Sequence, residues 1–378
     1  MRQSTLGGAK RIVIKIGSSV LRDGSDFDRV TFASIVRGIA YLRAQGVECI
    51  VVCSGAVALG FPELGLLDRP KRIERLQASA AVGQGRLIRF WTDELNHYEL
   101  TAAQVLLTHD DLKNRKRFLA ARHTLRALLE LGAIPIINEN DTVAIEEIKM
   151  GDNDLLSSQV VSLTGASALV ILSDVDGFYV DNPDNAGIRV ADYISEITED
   201  LMSKAGESST GLGSGGMRTK LEAVRQVNEL GIVAIIGRGK VPTVLERIFA
   251  GDNLGTWFDS GGIKRSRRKH WIAYAHKVEG RLIVDEGACS AITDKGRSLL
   301  PIGITHVEGD FDVGAAVDIC THDGNSFARG LVAYDSETLR GIKGQRTDEH
   351  RGISRVEVIH RDDLALLSSI SAEVDGVK

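Results

Sequence analysis

The sequence has no long apolar segment and few cysteines, and these absences exclude several classes of protein. No apolar run reaches the roughly 18–20 residues that a helix needs to cross a bilayer, so we expect no membrane association. The N-terminal stretch lacks the apolar core of a signal peptide. The cysteines follow no metal-binding or redox spacing, so buried free thiols are expected. They are Cys49, Cys53, Cys289 and Cys320. We therefore predict a cytoplasmic protein.

A surplus of positive charge is also missing. The net charge is −5 over 378 residues, which gives no general reason to expect a nucleic-acid partner. The hydrophobic fraction of 43% and the charged fraction of 26% are typical of a soluble globular protein. A chain of this length is long for one domain, and we expect two.

Apolar strand-like runs and amphipathic helical stretches alternate over the first part of the chain. We predict strands over residues 11–16, 47–53, 101–108, 134–137, 168–172 and 232–236. We predict helices over residues 28–45, 73–98, 115–131 and 217–230. This alternation predicts an α/β fold in which helices cover a mostly parallel, doubly wound sheet.

The pattern changes near residue 261, where we place a domain boundary. The stretch from Lys264 to Lys269 carries five lysines and arginines and no acidic residue. Beyond it, short apolar runs separated by glycine and aspartate turns predict a small all-β module. The predicted boundaries are 1–262 for the α/β domain, 263–278 for a basic linker, 279–362 for the module and 363–378 for a flexible tail.

A polar segment follows the strand predicted at 134–137. It contains Asn138 and Asp141, and then Asp152, Asn153 and Asp154 ahead of an apolar stretch. Asn and Asp are poor strand and helix-interior residues, but they cap helices and bind ligands. Polar residues between a strand and a helix mark the place where an open α/β sheet holds its ligand. The alternative is an ordinary Asn/Asp turn followed by a helix N-cap.

Lys15 interrupts the apolar run at 11–16, although a central parallel strand is expected to be continuously apolar. Lysine is rarely buried without a partner, so its ammonium could point into a ligand crevice at the end of the strand. The alternative is an edge-strand lysine that extends its ammonium into water.

The strand predicted at 47–53 ends in the small residues Ser54, Gly55 and Ala56 before a helical stretch. The free N–H groups of such a junction form an anion site, and small side chains let a ligand approach the backbone. Tight packing of the helix on the sheet explains the same residues.

The most glycine-dense segment, 210–220, formally matches the glycine pattern of dinucleotide-binding proteins. The preceding residues are polar rather than strand-like, and no acidic residue follows at the required distance, so we reject nicotinamide binding. The Walker A spacing is absent too. A loop with exposed N–H groups that opens a helix, with Lys220 one turn in, suits a polyphosphate. A disordered linker is the alternative.

In their order and spacing, these segments resemble a group of the amino acid kinase family, the glutamate 5-kinases. The matching stretches are 14–19, 54–56, 137–141 with 151–154, and 213–220. The segment 284–303 resembles the PUA module that bacterial members append. Two departures from the family pattern, Cys53 before Ser54 and Ser173 where threonine is common, remove no charged group.

The resemblance implies a three-layer αβα sandwich followed by a small all-β PUA pseudobarrel. It implies ATP-dependent phosphorylation of the γ-carboxylate of L-glutamate to γ-glutamyl phosphate, the first step of proline biosynthesis. Lys15 and Lys220 would neutralise the transferred phosphoryl group, and Asp154 would orient them. Glutamate would be held by Ser54, Asn138, Asp141, Asp152 and Asn153. The nucleotide would be held by Lys15, Ser173, Asp174, Ser214, Gly215, Gly216, Met217, Arg218, Thr219 and Lys220, with Mg²⁺ bridging the phosphates of ATP and no protein ligand assigned to it.

The expected chemistry is coherent in itself. A carboxylate is already an anionic nucleophile at neutral pH, so catalysis rests on positioning and charge neutralisation rather than on a general base. Asp141 would pair with the substrate ammonium, while N–H groups near Ser54 would take the α-carboxylate.

Two alternatives remain open. Carbamate kinase and acetylglutamate kinase share the fold and the lysines, so the substrate depends on the glutamate-side residues. PUA modules elsewhere bind RNA, but residues 279–361 hold 10 Lys and Arg against 14 Asp and Glu, a net charge of −4. This sign is wrong for following a phosphate backbone, and we expect no RNA binding by the module. The resemblance also implies a homo-oligomer and feedback inhibition by proline, neither of which follows from the residues themselves.

Overall fold

The computed structural model describes residues 6–23, 26–143, 153–179, 189–207, 216–260, 267–274, 278–345 and 357–367. The chain divides into two compact units. The first comprises Met1–Leu112 and Lys116–Lys264, and the second comprises Lys113–Arg115 and Arg265–Lys378. Each unit has its own sheet.

Ten strands lie in the described residues of the first unit. They are β1 (Arg11–Ile16), β2 (Arg22–Asp23), β3 (Asp26–Phe27), β4 (Glu48–Cys53), β5 (Ala102–Leu107), β6 (Ile134–Glu139), β7 (Ala168–Ser173), β8 (Tyr193–Ile194), β9 (Val233–Arg238) and β10 (Thr256–Phe258). Strands β2 and β3 pair only with each other, and the other eight form one sheet in the order β5-β6-β4-β1-β7-β9-β10-β8. The strands from β5 to β9 in that order are parallel, whereas β10 is antiparallel to β9. The predicted mostly parallel sheet is confirmed.

Of the helices that the structure describes in this unit, those at 29–44, 73–96, 115–130 and 217–229 lie where helices were predicted. The described helices are α1 (Arg29–Ala44), α2 (Ala56–Gly60), α3 (Ile73–Asn96), α4 (His109–Lys113), α5 (Arg115–Glu130), α6 (Asn153–Thr164), α7 (Glu199–Glu207), α8 (Met217–Glu229) and α9 (Val244–Ala250), with a 3₁₀ turn at Pro62–Leu64. Helix α1 begins after Asp28, whose carboxylate accepts a hydrogen bond from the Thr31 N–H (2.9 Å). It ends before Gly46, which adopts a left-handed φ of 79°.

Strand β1 lies at the centre of the sheet, between β4 and β7. Its side chains alternate between the two faces. Ile12, Ile14 and Ile16 join the apolar core that includes residues of α1, α3 and α9. Lys15 therefore points to the opposite face, where α6 packs on β1. This placement excludes the interpretation of Lys15 as an edge-strand lysine.

The second unit is built on a five-stranded sheet in the order β12-β11-β13-β14-β15. Its strands are β11 (Val278–Val284), β12 (Ile304–Glu308), β13 (Ala316–Cys320), β14 (Ser326–Leu331) and β15 (Leu364–Leu366). Its helices in the described residues are α10 (Arg267–Tyr274), α11 (Glu286–Thr293) and α12 (Ser336–Ile342), with 3₁₀ turns at Pro301–Gly303 and Arg361–Asp363. Leu282, Ile319 and Phe327 are fully buried in its core.

The structure places regular elements in two segments for which the sequence predicted a linker and a tail. Within the predicted linker, 263–278, helix α10 buries Trp271 and Ile272, and the carbonyl of Ala273 accepts a hydrogen bond from Arg329 (2.7 Å). Apolar residues beside the basic stretch give this helix a face to bury. Within the predicted tail, 363–378, strand β15 pairs with β14. The apolar residues Leu364 and Ala365 are buried there and complete the sheet.

Two sequence-based expectations, one on membrane helices and one on cysteines, can be compared with the described residues. Among them, no helix has both the length and the apolar character needed to cross a membrane. All four cysteines are free thiols, as predicted. Cys49, Cys53 and Cys320 are buried, whereas Cys289 is half-buried.

Candidate active site

A buried group of three charged side chains lies on the α6 face of the sheet. The Asp154 carboxylate forms ion pairs with two lysines, through Oδ1 with Lys15 Nζ and through Oδ2 with Lys220 Nζ (3.0 Å). Each lysine therefore contacts a different oxygen of the same carboxylate. We call Lys15, Asp154 and Lys220 the charged triad.

The local fold explains how residues so distant in sequence meet. Lys15 lies near the carboxyl end of β1, in register with Val52 of β4 and Ile171 of β7. Asp154 is in the first turn of α6. Lys220 is in the first turn of α8, which packs against α6. The charged triad thus joins the end of a central strand to the beginnings of two helices, where backbone N–H groups favour anions.

Burial strengthens the electrostatic interactions of the triad. Lys15 is 4% exposed, Lys220 is 7% exposed and Asp154 is fully buried. Two ammonium groups and one carboxylate give these three residues a net charge of +1. Charges act more strongly on each other where water is excluded, so the triad favours an anion beside the two lysines.

A chain of polar side chains lies next to the triad. The Asn153 amide donates hydrogen bonds to the Asn138 side-chain oxygen (2.8 Å), to Ser54 Oγ (2.9 Å) and to the Cys53 carbonyl (3.0 Å). Asn138 in turn donates to Gln84 Oε1 (2.8 Å). Three predicted glutamate-site residues, Ser54, Asn138 and Asn153, therefore meet at the ends of β4 and β6.

These residues line a cleft that also contains Asp141. Burial raises the pKa of the Asp141 carboxyl to about 6, and the positive charge of Arg69 opposes this rise. A buried carboxylate gains most from a cationic partner, and the ammonium of an amino acid provides one. The cleft can therefore hold an amino acid by its ammonium, next to the lysines of the triad.

The residues predicted for the nucleotide lie at strand ends and at the beginning of α8. Ser173 is the last residue of β7, and its hydroxyl donates to the Asp174 carboxylate (3.0 Å). Gly216 is the N-cap of α8, and Met217, Arg218 and Thr219 form its first turn with Lys220. Free N–H groups at such a helix start favour a phosphate.

Some predicted residues lie outside the described residues, and others were missed. Asp152, Ser214 and Gly215 belong to the first group. Gln84 was missed, although its sequence signal is visible: it stands between Gly83 and Gly85 inside a helix, where glycine is unfavourable. Arg22 and Arg69 also line the cleft, and no motif in the sequence marks them.

The residues of the site fit a metal ion that arrives with the nucleotide. Among the described residues, no group of three or more His, Cys, Asp or Glu side chains could hold a metal. Mg²⁺ is usually held by one or two carboxylates together with substrate phosphates, and not by a cage of protein ligands. Asp174 is an exposed carboxylate next to the expected phosphate positions and could provide such a contact.

Comparison with known proteins gives the family. The sequence pattern of the Amino acid kinase family matches residues 10–238, and that of the PUA domain matches residues 280–353. The chain belongs to the amino acid kinase family. It is 46% identical to the glutamate 5-kinase of Syntrophotalea carbinolica and 46% identical to that of Geobacter sulfurreducens, each over 373 residues that cover 97% of this chain and 100% of the relative. The predicted resemblance to glutamate 5-kinases with a PUA domain is confirmed.

A solved structure shows the same kinase fold. Carbamate kinase from Giardia lamblia bound to AMP-PNP matches 68% of this chain and 99% of its own, with a TM-score of 0.50 and 15% sequence identity. The predicted kinase-type αβα architecture and the separate PUA sheet are thus confirmed. As a member of a kinase family, the chain uses ATP.

Proposed function

We propose that this chain transfers the terminal phosphoryl group of ATP to the γ-carboxylate of L-glutamate, producing γ-glutamyl phosphate and ADP for proline biosynthesis. The observation that carries the proposal is the charged triad, Lys15, Asp154 and Lys220, buried beside a cleft suited to an amino acid. The curated relatives that match nearly the whole chain are glutamate 5-kinases.

The triad supplies the electrostatic part of the mechanism. As the phosphoryl group moves, negative charge spreads over its oxygens and over the leaving ADP. Lys15 and Lys220 stabilise this charge from fixed positions, because Asp154 holds both ammonium groups and lowers their mutual repulsion. The γ-carboxylate attacks as an anion, so the site needs no residue to remove a proton.

Glutamate binds in the cleft, on the side of the triad opposite the nucleotide. Asp141 accepts the ammonium group, and the side chains of Ser54, Asn138 and Asn153 orient the substrate through their hydrogen-bonding network. Asp152 is proposed as a further glutamate-binding residue on the basis of the family resemblance.

The nucleotide binds along the ends of β7 and the start of α8. Ser173, Asp174 and Gly216 to Thr219 contact it, and the resemblance adds Ser214 and Gly215 to this set. Mg²⁺, bound by the phosphates and Asp174, would supply additional positive charge at the transferred group. We further propose a homo-oligomer that proline inhibits, on the resemblance alone, and a cytoplasmic location, on the sequence features described above.

The test is ADP release by the purified chain with ATP, Mg²⁺ and one acceptor at a time. L-Glutamate should support turnover, whereas N-acetylglutamate should not, because acetylation removes the ammonium that Asp141 pairs with. Leaving that partly buried carboxylate without the substrate ammonium should cost about 1–3 kcal/mol. Aspartate and carbamate are controls for length and for the carbamate kinase alternative. Equal turnover with glutamate and N-acetylglutamate would overturn the substrate assignment.

RNA binding through the PUA module is the alternative from another class. The net negative charge of that region argues against it. A gel shift at low salt with structured RNA should show no complex, and a salt-sensitive complex would support this alternative.

A further inference from the structure

The hairpin formed by β2 and β3 places an unassigned cation at the cleft. Its two strands pair in the register Arg22 with Phe27 and Asp23 with Asp26, and they do not join the large sheet. Arg22 lines the cleft together with Ser54 and Asp141. It also lines the cavity next to it, with Ser54 and Gly55. The position of Arg22 thus depends on what holds the hairpin.

Lys240 holds both ends of this hairpin. Its ammonium donates a hydrogen bond to the carbonyl of Arg22, the first hairpin residue, and lies 3.4 Å from Asp28 Oδ2, just after the last. Asp28 is itself fixed, because it accepts from the Thr31 N–H at the start of α1 and donates its own N–H to the Leu21 carbonyl (3.0 Å). One ammonium therefore ties together the entry and the exit of the hairpin.

The backbone beside Lys240 is anchored to the expected nucleotide side of the sheet. The Gly239 N–H donates to the carbonyl of Ser173 at the end of β7 (2.8 Å). A Cβ at Gly239 would lie 2.5 Å from Val20 Cγ1, so the chain there packs directly on the turn after β1. Lys240 thus extends from the residues just after β9 to the hairpin, where it holds the backbone of Arg22.

The charge of glutamate gives Arg22 a role. Glutamate carries two carboxylates and one ammonium. The lysines of the triad face the reacting γ-carboxylate, and Asp141 suits the ammonium, which leaves the α-carboxylate without a cation. Helix α2 has only five residues and provides too little helix dipole for that task. Arg69 also lines the cleft, but its positive charge acts on Asp141, whereas Arg22 lines both the cleft and the adjoining cavity at Ser54 and Gly55.

We propose that Arg22 pairs with the α-carboxylate of bound glutamate, and that Lys240 is a positioning residue that holds Arg22 over the cleft. A guanidinium suits this task because it binds a carboxylate through two parallel hydrogen bonds. The inference rests on the proposed function and deepens it, since it names the residue that distinguishes an α-amino acid from a simple amine with the same reacting carboxylate.

The test of Arg22 compares two acceptors. 4-Aminobutanoate has the ammonium and the reacting carboxylate of glutamate but no α-carboxylate. Arg22→Ala should lower kcat/KM for glutamate by about 10- to 100-fold through KM, and should leave kcat/KM for 4-aminobutanoate unchanged. Arg22→Lys should recover part of the loss. An equal loss with both acceptors, or no loss with glutamate, would overturn the role of Arg22.

The test of Lys240 uses Lys240→Met, which keeps the length of the side chain but removes its charge, with Lys240→Arg as the matched control. Lys240→Met should raise KM for glutamate by about 10-fold and leave KM for ATP within about twofold, while Lys240→Arg stays close to wild type. Combined with Arg22→Ala, it should add little, because both act on one contact. Additive effects of the two substitutions on KM, or a lower Tm of Lys240→Met with an unchanged KM, would show that Lys240 stabilises the fold and does not position Arg22. Absence of any glutamate turnover by the wild-type chain would instead overturn the proposed function.

Discussion

At the scale of single residues, Asp154 has two tasks, since it both orients the lysines and compensates their charge. Asp154→Asn keeps the shape but leaves two buried ammonium groups without their carboxylate. We expect kcat to fall by about 100-fold or more, with little change in KM for glutamate. We also expect a loss of about 3–5 kcal/mol in the free energy of unfolding, because a buried charge pair has lost one partner.

Lys220→Met is the comparison for this variant. It leaves Asp154 paired with Lys15, so activity should fall while Tm stays closer to that of the wild type. A non-hydrolysable ATP analogue should raise the Tm of Asp154→Asn more than that of the wild type, since its phosphates replace the missing negative charge. If Asp154→Asn raises only KM and leaves kcat intact, Asp154 is a substrate ligand and the mechanism is wrong.

Asp141 should make glutamate binding depend on pH. Burial raises the pKa of its carboxyl to about 6, so below that pH the group is neutral and cannot pair with an ammonium. Between pH 7.5 and pH 5, kcat/KM for glutamate should therefore fall by about 10-fold, because about one tenth of the carboxyl stays ionised one unit below its pKa. Asp141→Asn should have a low kcat/KM for glutamate that does not change over this pH range. A wild-type profile that is flat over this range would contradict the assignment.

The same group affects stability with the opposite sign. Because the pKa is raised from 3.8 to about 6, the folded protein binds the proton more tightly than the unfolded chain between those values. The contribution of Asp141 to the free energy of unfolding thus falls as pH rises through this window, and the cost is fully present above it. Asp141→Asn should therefore have a higher Tm than the wild type at pH 7.5, measured by calorimetry.

Residue types that are wrong for their element were the most informative part of the sequence. A lysine in an apolar strand drew attention to Lys15, aspartates before an apolar helix to Asp154, and a glycine-dense loop before a helix to Lys220. Arg22, Arg69 and Lys240 could not be predicted, because an exposed cation outside an apolar run has no pattern of its own. These residues matter because they lie next to the ends of particular strands, and this proximity exists only in the folded sheet.

At the scale of elements, the close contact between α2 and α3 fixes the two helices beside Ser54 and Gln84, which belong to one hydrogen-bond network through Asn138 and Asn153. A Cβ on Gly83 would lie 1.8 Å from the carbonyl oxygen of Ala56, and one on Gly60 would lie 1.8 Å from that of Ser79. The two helices touch backbone to backbone, so no side chain fits between them. The contact joins Ala56 and Gly60 of α2 to another helix, whereas the sequence suggested packing of α2 on the sheet.

Gly83→Ala tests this contact, and Gly85→Ala, two residues along the same helix, is its control. A Cβ on Gly85 meets nothing within 4 Å. Gly83→Ala should lower Tm and raise KM for glutamate about 10-fold or more, because α2 must move and Ser54 moves with it. Gly85→Ala should keep its activity and gain up to about 1 kcal/mol in stability from helix propensity. Similar behaviour of the two variants would show that the contact does not position the site.

Strand and helix positions of the first unit followed from periodicity, since long regular elements give strong patterns. The second unit was harder. The predicted all-β module left out α11 and α12. Strand β15 was taken for part of a tail, because three apolar residues give no measurable period. Helix α10 was not predicted, because it begins within the basic stretch, although Trp271 and Ile272 form its buried face.

At the scale of the whole molecule, the division into two units predicts an independent kinase domain. All proposed site residues precede residue 264, where the first unit ends. A chain truncated after Gly262 should keep its helical circular dichroism and part of its glutamate-dependent ADP release. Extending the truncated chain to Tyr274 is the control, because it adds α10 without the sheet on which α10 packs. Complete loss of structure in the shorter chain would show that the second unit is needed to fold the first.

The position of β1 has a consequence for the order of events in folding. Its neighbours in the sheet, β4 and β7, lie at residues 48–53 and 168–173, and Lys220 comes later still. Closing such long loops is slow, and a chain emerging from the ribosome cannot form the triad before α8 has been made. Enzymatic activity should therefore appear late, and during refolding from urea it should lag behind helix formation. A nascent chain that does not yet include α8 cannot form the triad and should not turn over ATP.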